Sequence, residues 1–205
     1  MKTFILSTVL ASILFAAKGG DIVTVHTCLV NTANSAIPDS IKLKVDSNAA
    51  YYQKTVKVDS NIKVSVIYLR TLQFMSAKNF TQNYGYEEEG KMIFTTTQDL
   101  NANATFSGDN DDPNPYTVQF AITIDMKNGR YRYTISNVIF YLPTVNGNRR
   151  MTLRELYDKE TGNEPRRIQR NAKTIVDSFE RYLVSLTGEL YTEIEHKAAI
   201  YQSKF

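Results

Sequence analysis

Apolar and polar residues alternate from Tyr116 to Leu142, YTVQFAITIDMKNGRYRYTISNVIFYL. Val118, Phe120, Ile122, Ile124 and Met126 fall on one side of an extended chain, and Gln119, Ala121, Thr123, Asp125 and Lys127 on the other. A period of two sets one sheet face on a core and the other in water. Asn128-Gly129 at the centre predicts a two-residue type I′ turn with positive φ at both positions. Such a turn sets the register: Lys127 against Arg130, Met126 against Tyr131, Asp125 against Arg132, Ile124 against Tyr133 and Thr123 against Thr134.

The period changes near the C-terminus. Ile168, Ala172, Ile175, Val176, Phe179, Tyr182, Leu183, Leu186 and Leu190 follow three- and four-residue steps. They predict an amphipathic helix from Glu164 to about Leu190, with Arg167, Arg170, Lys173, Asp177 and Arg181 off the stripe. Such a stripe needs a partner, and the apolar face of the hairpin is the obvious one.

Weaker signals fill the interval before it. Tyr52–Val58 alternates as a strand, and Asp59-Ser60-Asn61 offers an N-cap for a helix over Ile62–Asn79. Within it, Ile67, Leu72, Phe74 and Met75 stand at helical spacings beside Leu69. Asn83–Gly90 reads mostly as a turn, Lys91–Thr97 as a strand and Asn101–Phe106 as another. Ser107–Pro115 reads as a loop. Pro143 and Asn146-Gly147 are expected to break the sheet, and Thr152–Tyr157 to form a short helix. Strand, helix, several antiparallel strands and a long final helix define an α+β fold: an antiparallel sheet packed by a first helix and a long C-terminal helix.

The 205-residue chain, 42% hydrophobic, is long enough for one domain with a substantial core. Its start is of another kind. Lys2 precedes an apolar run, Phe4–Ala17, followed by Lys18-Gly19-Gly20. A run of roughly 21 Å is too short for the ~30 Å hydrocarbon core and fits a secretory signal peptide, cut between Ala17 and Gly20. The expected organisation is a signal peptide over 1–20, an extension over 21–49, the α+β domain over 50–195 and a tail over 196–205. The extension carries plausible short strands at Ile22–Val25 and Ile41–Val45. No apolar run in the mature part is long enough for a membrane helix. The net charge of +3 falls to +1 once Lys2 and Lys18 are removed, which gives no concentrated basic face for nucleic acid. A single cysteine, Cys28, excludes an internal disulfide.

Three pieces carry a family resemblance. They are Tyr52–Val58 leading through Ile67-Tyr68-Leu69-Arg70-Thr71-Leu72-Gln73-Phe74 to Ala77-Lys78-Asn79-Phe80, the strand Lys91–Thr97 after an acidic turn, and Phe120–Ile135, FAITIDMKNGRYRYTI. Over roughly residues 50–190 the chain resembles a family of exported Gram-negative proteins, a domain of unknown function with a TATA-binding-protein-like (TBP-like) fold. The resemblance implies a curved antiparallel sheet with helices on its concave or packing side, a helix-grip-like arrangement, and it carries over no catalytic or binding residues. Phe74 stands where the family commonly has tryptophan, and Asn128 where it commonly has aspartate. The fold name describes shape and gives no support to DNA binding.

Motifs that would define chemistry do not assemble. His26 and Cys28 share one face of a strand, but zinc wants three or four ligands, and His196 is remote. The same scarcity weakens a Cys–His nucleophile pair. Asp109, Asp111 and Asp112 fail the calcium-loop pattern, since Pro113 and Asn114 occupy its fifth and sixth positions. Arg130 and Arg132 alternate with Tyr131 and Tyr133, so they cannot form one stacking platform. An envelope hydrolase with scattered acidic residues stays as a third reading; it would need a desolvated carboxylate pair in a cleft, and nothing singles one out.

Two weaker constellations remain. Arg149, Arg150, Arg154, Arg166, Arg167 and Arg170 could form an anion-binding patch, or pair with Glu155, Glu160 and Glu164 at the surface. Phe120, Ile122, Ile124, Tyr131, Tyr133, Phe179 and Leu183 would either fill the sheet–helix interface or line a cavity for a small apolar ligand. No catalytic residue, metal site or cofactor is expected. The expectation is an exported, non-catalytic binding or interaction domain, periplasmic or outer-envelope. Its partner would be an envelope protein or a small apolar ligand.

Overall fold

The computed structural model describes residues 41, 43–46, 49–101, 115–144 and 147–202, with side chains through Glu195. Residues 1–40 lie outside these and include the expected signal peptide, the Ile22–Val25 strand, His26 and Cys28. Asp109, Asp111, Asp112 and the side chain of His196 also lie outside.

Among the described residues seven strands form one antiparallel sheet: β1 (Leu43–Val45), β2 (Ala50–Lys57), β3 (Thr81–Tyr86), β4 (Lys91–Asn101), β5 (Pro115–Lys127), β6 (Arg130–Thr144) and β7 (Gly147–Thr152). Their order is β1-β2-β6-β5-β4-β3, with β7 added to the far end of β6. The helices are α1 (Val64–Ala77), α2 (Leu153–Thr161) and α3 (Arg166–Gln202). Inward residues of the sheet, including Phe94, Phe120, Ile122, Ile124 and Tyr133, form one buried cluster with Ile67 and Met75 of α1, Leu156 of α2 and Phe179 and Leu183 of α3. The helices therefore cover one face of the sheet, as the α+β reading requires.

The β5–β6 hairpin pairs as expected from Lys127 opposite Arg130 through Thr123 opposite Thr134. Two details differ. Gly129 has φ 69°, while Asn128 is not among the positive-φ residues, so the turn is not type I′. Farther along, the register shifts between Gln119 and Ala121, where β6 carries an extra residue and Asn137 takes φ 54°. This β-bulge moves the inward positions of β6 from Tyr131, Tyr133 and Ile135 to Val138, Phe140 and Leu142.

The side chain of Asn128 has another task. Its Oδ1 accepts from the Val64 N–H at 3.1 Å, so a hairpin residue satisfies one of the free donors at the start of α1. The residue at the N-cap position is Lys63, which makes no side-chain cap. The expected cap, Asp59-Ser60-Asn61, forms a local turn in which Asp59 Oδ1 accepts from the Asn61 N–H at 2.8 Å. The same connector clamps the hairpin tip: Val58 N–H donates to the Gly129 carbonyl at 3.0 Å, and Gly129 N–H to the Ile62 carbonyl at 3.1 Å. A Cβ on Gly129 would stand 2.9 Å from Ser60 Cα, so the close approach requires glycine there.

Three other expectations change. Half of Asn83–Gly90 is strand: β3 runs to Tyr86, and residues 87–90 turn. Pro143 does not end the sheet, because β6 continues to Thr144 and β7 folds back on it with Thr144 opposite Gly147. Proline is accommodated this near the strand end because β6 pairs with β5 only as far as Tyr141. The last helix continues beyond Leu190 to Gln202, and Ile194 extends the buried stripe. At α2, Thr152 and Glu155 form a reciprocal capping box that starts the helix directly after β7.

Replacing Asn128 by Ala should lower the unfolding free energy by about 1 kcal/mol, the usual worth of a helix cap. Gly129→Ala should cost more, because the added Cβ meets Ser60 in a left-handed backbone. Urea denaturation of both variants beside the parent checks the order, and an Asn128→Ala midpoint equal to the parent's would refute the cap.

Candidate functional site

The interface between sheet and α3 is built from rings. Phe179 meets Phe120 at 5.4 Å between centroids, Phe140 at 5.5 Å and Tyr52 at 6.1 Å, each edge to face. Phe80, just beyond α1, adds an edge contact to Phe120 at 5.8 Å. All seven residues suggested as lining for an apolar ligand, Phe120, Ile122, Ile124, Tyr131, Tyr133, Phe179 and Leu183, are buried in this core. The edge-to-face geometry is the favoured one for aromatic pairs and adds to their area burial.

Polar atoms are embedded in the same layer. The hydroxyls of Tyr52, Tyr131 and Tyr133 are buried without a hydrogen-bond partner among the described residues. Tyr52 approaches the Glu180 carboxylate and Tyr133 approaches Thr187, without reaching full hydrogen-bond geometry. Burial pushes the phenols of Tyr52 and Tyr131 far up, and that of Tyr182 up to about 12. Glu180 is the acidic counterpart. Its carboxyl lies above the ordinary range, first because it is desolvated, and further because Asp177 and Glu160 are close; Tyr52 and Lys173 oppose the shift. Lys173 itself bonds both oxygens of Asp177, at 2.8 and 2.9 Å.

A buried cation ties the two long helices. Arg70 on α1 is 6% exposed and donates to the Ile194 carbonyl of α3 at 3.0 Å. Sequence periodicity missed it, since an arginine among apolar residues reads as a solvent position.

The six arginines divide into two groups. Arg149 and Arg150 are exposed on β7, and Arg154 follows on α2, where it pairs with Asp158 and donates to the Asp46 carbonyl. Arg166, Arg167 and Arg170 are exposed on the first turns of α3. Glu155 sits below the ordinary carboxyl range, chiefly through its bonds to Thr152, with Arg150 and Arg149 adding to the effect.

Among the described residues no helix packs on the other face of the sheet. Its cross-strand rows read Tyr84, Ile93, Thr123, Thr134 and Gln53, and alongside them Tyr86, Lys91, Asp125, Arg132 and Thr55. Asp125 and Arg132 pair at 2.8 Å as the register predicts, beside a shallow concavity of about 270 Å³. At one edge, Tyr84 and Tyr86 are 38% and 55% exposed with rings stacked at 6.3 Å. Leu69 on α1, 53% exposed, completes the exposed large apolar side chains of the described residues. Between α1 and β3 lies a groove of about 610 Å³ lined by Val64, Ser65, Gly85, Tyr86, Glu87 and Glu88. The alternation of Tyr84 and Tyr86 about Gly85 was the sequence signal for this edge. Among the described residues no group of three or more His, Cys, Asp or Glu is placed to hold a metal.

This architecture is that of an α+β domain in which an antiparallel sheet is backed by a long C-terminal helix. Residues 52–141 match the family model described as a domain of unknown function (DUF4468) with TBP-like fold, so the family resemblance holds. Two solved structures share the fold. A TBP-like protein from Parabacteroides distasonis ATCC 8503 is similar with a TM-score of 0.60 and 9% identity, covering 74% of this chain and 96% of that one. A DUF4468 family protein from Bacteroides ovatus ATCC 8483 is similar with a TM-score of 0.55 and 13% identity, covering 73% of this chain and 90% of that one. Comparison with curated protein sequences finds no match.

The raised carboxyl of Glu180 has a defined pH signature. A raised acid contributes stability that is fully present below its unfolded value, near 4.3, and is lost as pH rises through the folded value. Thermal melts from pH 4 to 8 should therefore show Glu180→Gln gaining on the parent as pH rises, with the difference closing toward pH 4. Parallel curves would remove the desolvated carboxyl from the account.

Proposed function

We propose that this chain is an exported, non-catalytic binding or interaction domain of the cell envelope, periplasmic or outer-envelope. The observation that carries the reading is a division of labour between the two faces of the sheet. One face is consumed by the core beneath α1, α2 and α3; the other holds no helix of the described residues and presents mostly threonine, tyrosine and paired charges. An antiparallel sheet can leave one face to solvent, and that face is then accessible to a partner. Export is supported by Lys2, the apolar run Phe4–Ala17 and the small residues after it. No helix of the described residues is long and apolar enough to cross a membrane.

Carriage of a small apolar ligand is the second reading. It draws on the three unpartnered tyrosine hydroxyls between sheet and α3, since buried polar groups usually have partners. Against it stand the direct ring contacts of Phe179 with Phe120 and Phe140.

Protein recovered from the envelope fraction of its native host should begin between Lys18 and Asp21 on N-terminal sequencing; a full-length cytosolic product would overturn export. Purified protein should show no turnover on ester, glycoside, peptide or phosphate panels. Robust hydrolysis abolished by one Asp or Glu substitution would refute the non-catalytic reading. Native mass spectrometry of protein from a lipid-rich host separates the carrier: a clean apo mass rejects it.

A further inference from the structure

The two ends of the sheet are guarded very differently. At one end β1 has three residues, and the strand added to β6, Gly147–Thr152, carries Arg149 and Arg150. Short strands and charges are the usual devices against edge-to-edge pairing. β3, at the other end, reads Thr-Gln-Asn-Tyr-Gly-Tyr, with no charge and no proline. Its outer edge pairs with no described strand. One bulge, between Gln82 and Tyr84, interrupts it and leaves Tyr84–Tyr86 as a regular stretch.

Side chains flank that stretch on both faces. Tyr84 and Tyr86 stack on the helix-free face, opposite Ile93 and Lys91. On the helix-covered face the space over Gly85 is taken by the side chains of Gln82 and Tyr68, which a Cβ there would meet, and the groove opens beside them. A strand laid along this edge would alternate its side chains between the tyrosine pair and the groove.

Charge indicates what that strand would carry. Glu87 and Glu88 line the groove and are exposed; the Glu87 carbonyl accepts from the Gly90 N–H, while neither carboxylate bonds or pairs with a described residue. Glu89 accepts from the Tyr84 hydroxyl at 2.7 Å. Two ammonium groups lie nearby, Lys63 before α1 and Lys91 one strand inward, but neither lines the groove. The rim is therefore acidic where a guest strand would end.

Building on the binding-domain reading above, we propose that the Tyr84–Tyr86 edge of β3, with Glu87 and Glu88, is a docking site at which an extended segment of another protein adds as a strand. That segment carries lysine or arginine beside apolar or aromatic residues. Main-chain bonds to the edge supply affinity, the tyrosines and groove select alternate side chains, and the carboxylates select for positive charge.

The test uses the full mature chain and a fluorescent ten-residue peptide alternating lysine and valine. Controls are the same peptide with glutamate for lysine, and the lysine peptide methylated at alternate backbone nitrogens. The lysine peptide should bind and shift amide resonances of Thr81–Glu88, and both controls should fail. Glu87→Lys with Glu88→Lys, on an exposed turn, should weaken binding about tenfold, as expected for reversing two surface charges. Tyr86→Ser should weaken it without altering the fold. Binding of neither peptide, equal binding of the glutamate or methylated peptide, or resonance shifts confined to Thr123 and Thr134 would overturn the site. Reversible dimerisation lost in Tyr86→Ser would overturn it as well, by assigning the edge to a second copy. The broader reading stands or falls on location and turnover, so these failures remain distinct from its own.

Discussion

The structure depends on one apposition: the inward face of the β5–β6 hairpin against the apolar stripe of α3. Each surface alone would leave large aromatic and aliphatic groups in water, and fully burying such a side chain contributes about 1.5–3 kcal/mol. Phe179 is the pivot, touching rings from β2, β5 and β6 at once. The packing of α1 and α2 is arranged around this contact. Arg70 fixes α1 to α3 through a backbone carbonyl, and Leu153 and Leu156 seat α2 in the same cluster.

Because that core occupies one side of the sheet, the other side and the edges carry its polar surface. Threonines and a glutamine form much of a central row there, through Thr123, Thr134 and Gln53, linked by bonds such as Gln53 Nε2 to Thr134 at 3.1 Å. Such a surface is hydrated and weakly charged, unlike the basic surface expected of a nucleic-acid binder. The TBP-like label thus describes how strands and helices are stacked and says nothing about a ligand.

The elements most legible in the sequence were those with long, unbroken periods. The hairpin register follows from two residues, Asn128 and Gly129, and the α3 stripe from its three- and four-residue spacing. What escaped had local signals too short to read. β3 is six residues without an apolar alternation, and β7 is polar at all but one position, Met151. The bulge was written in the step from Ile135 to Val138, which breaks the period of two, but only a partner strand shows which chain holds the extra residue. The candidate site was less legible still, because an unprotected edge becomes visible only once strand order is known.

The bond from Asn128 to Val64 joins positions 64 residues apart in the chain. The first turn of α1 therefore receives this cap only after the β5–β6 ribbon has closed far downstream. A helix opened by β-branched residues has little tendency to persist alone. The stability of its first turn is thereby coupled to closure of a distant hairpin, so damage at the hairpin tip is felt at the start of α1.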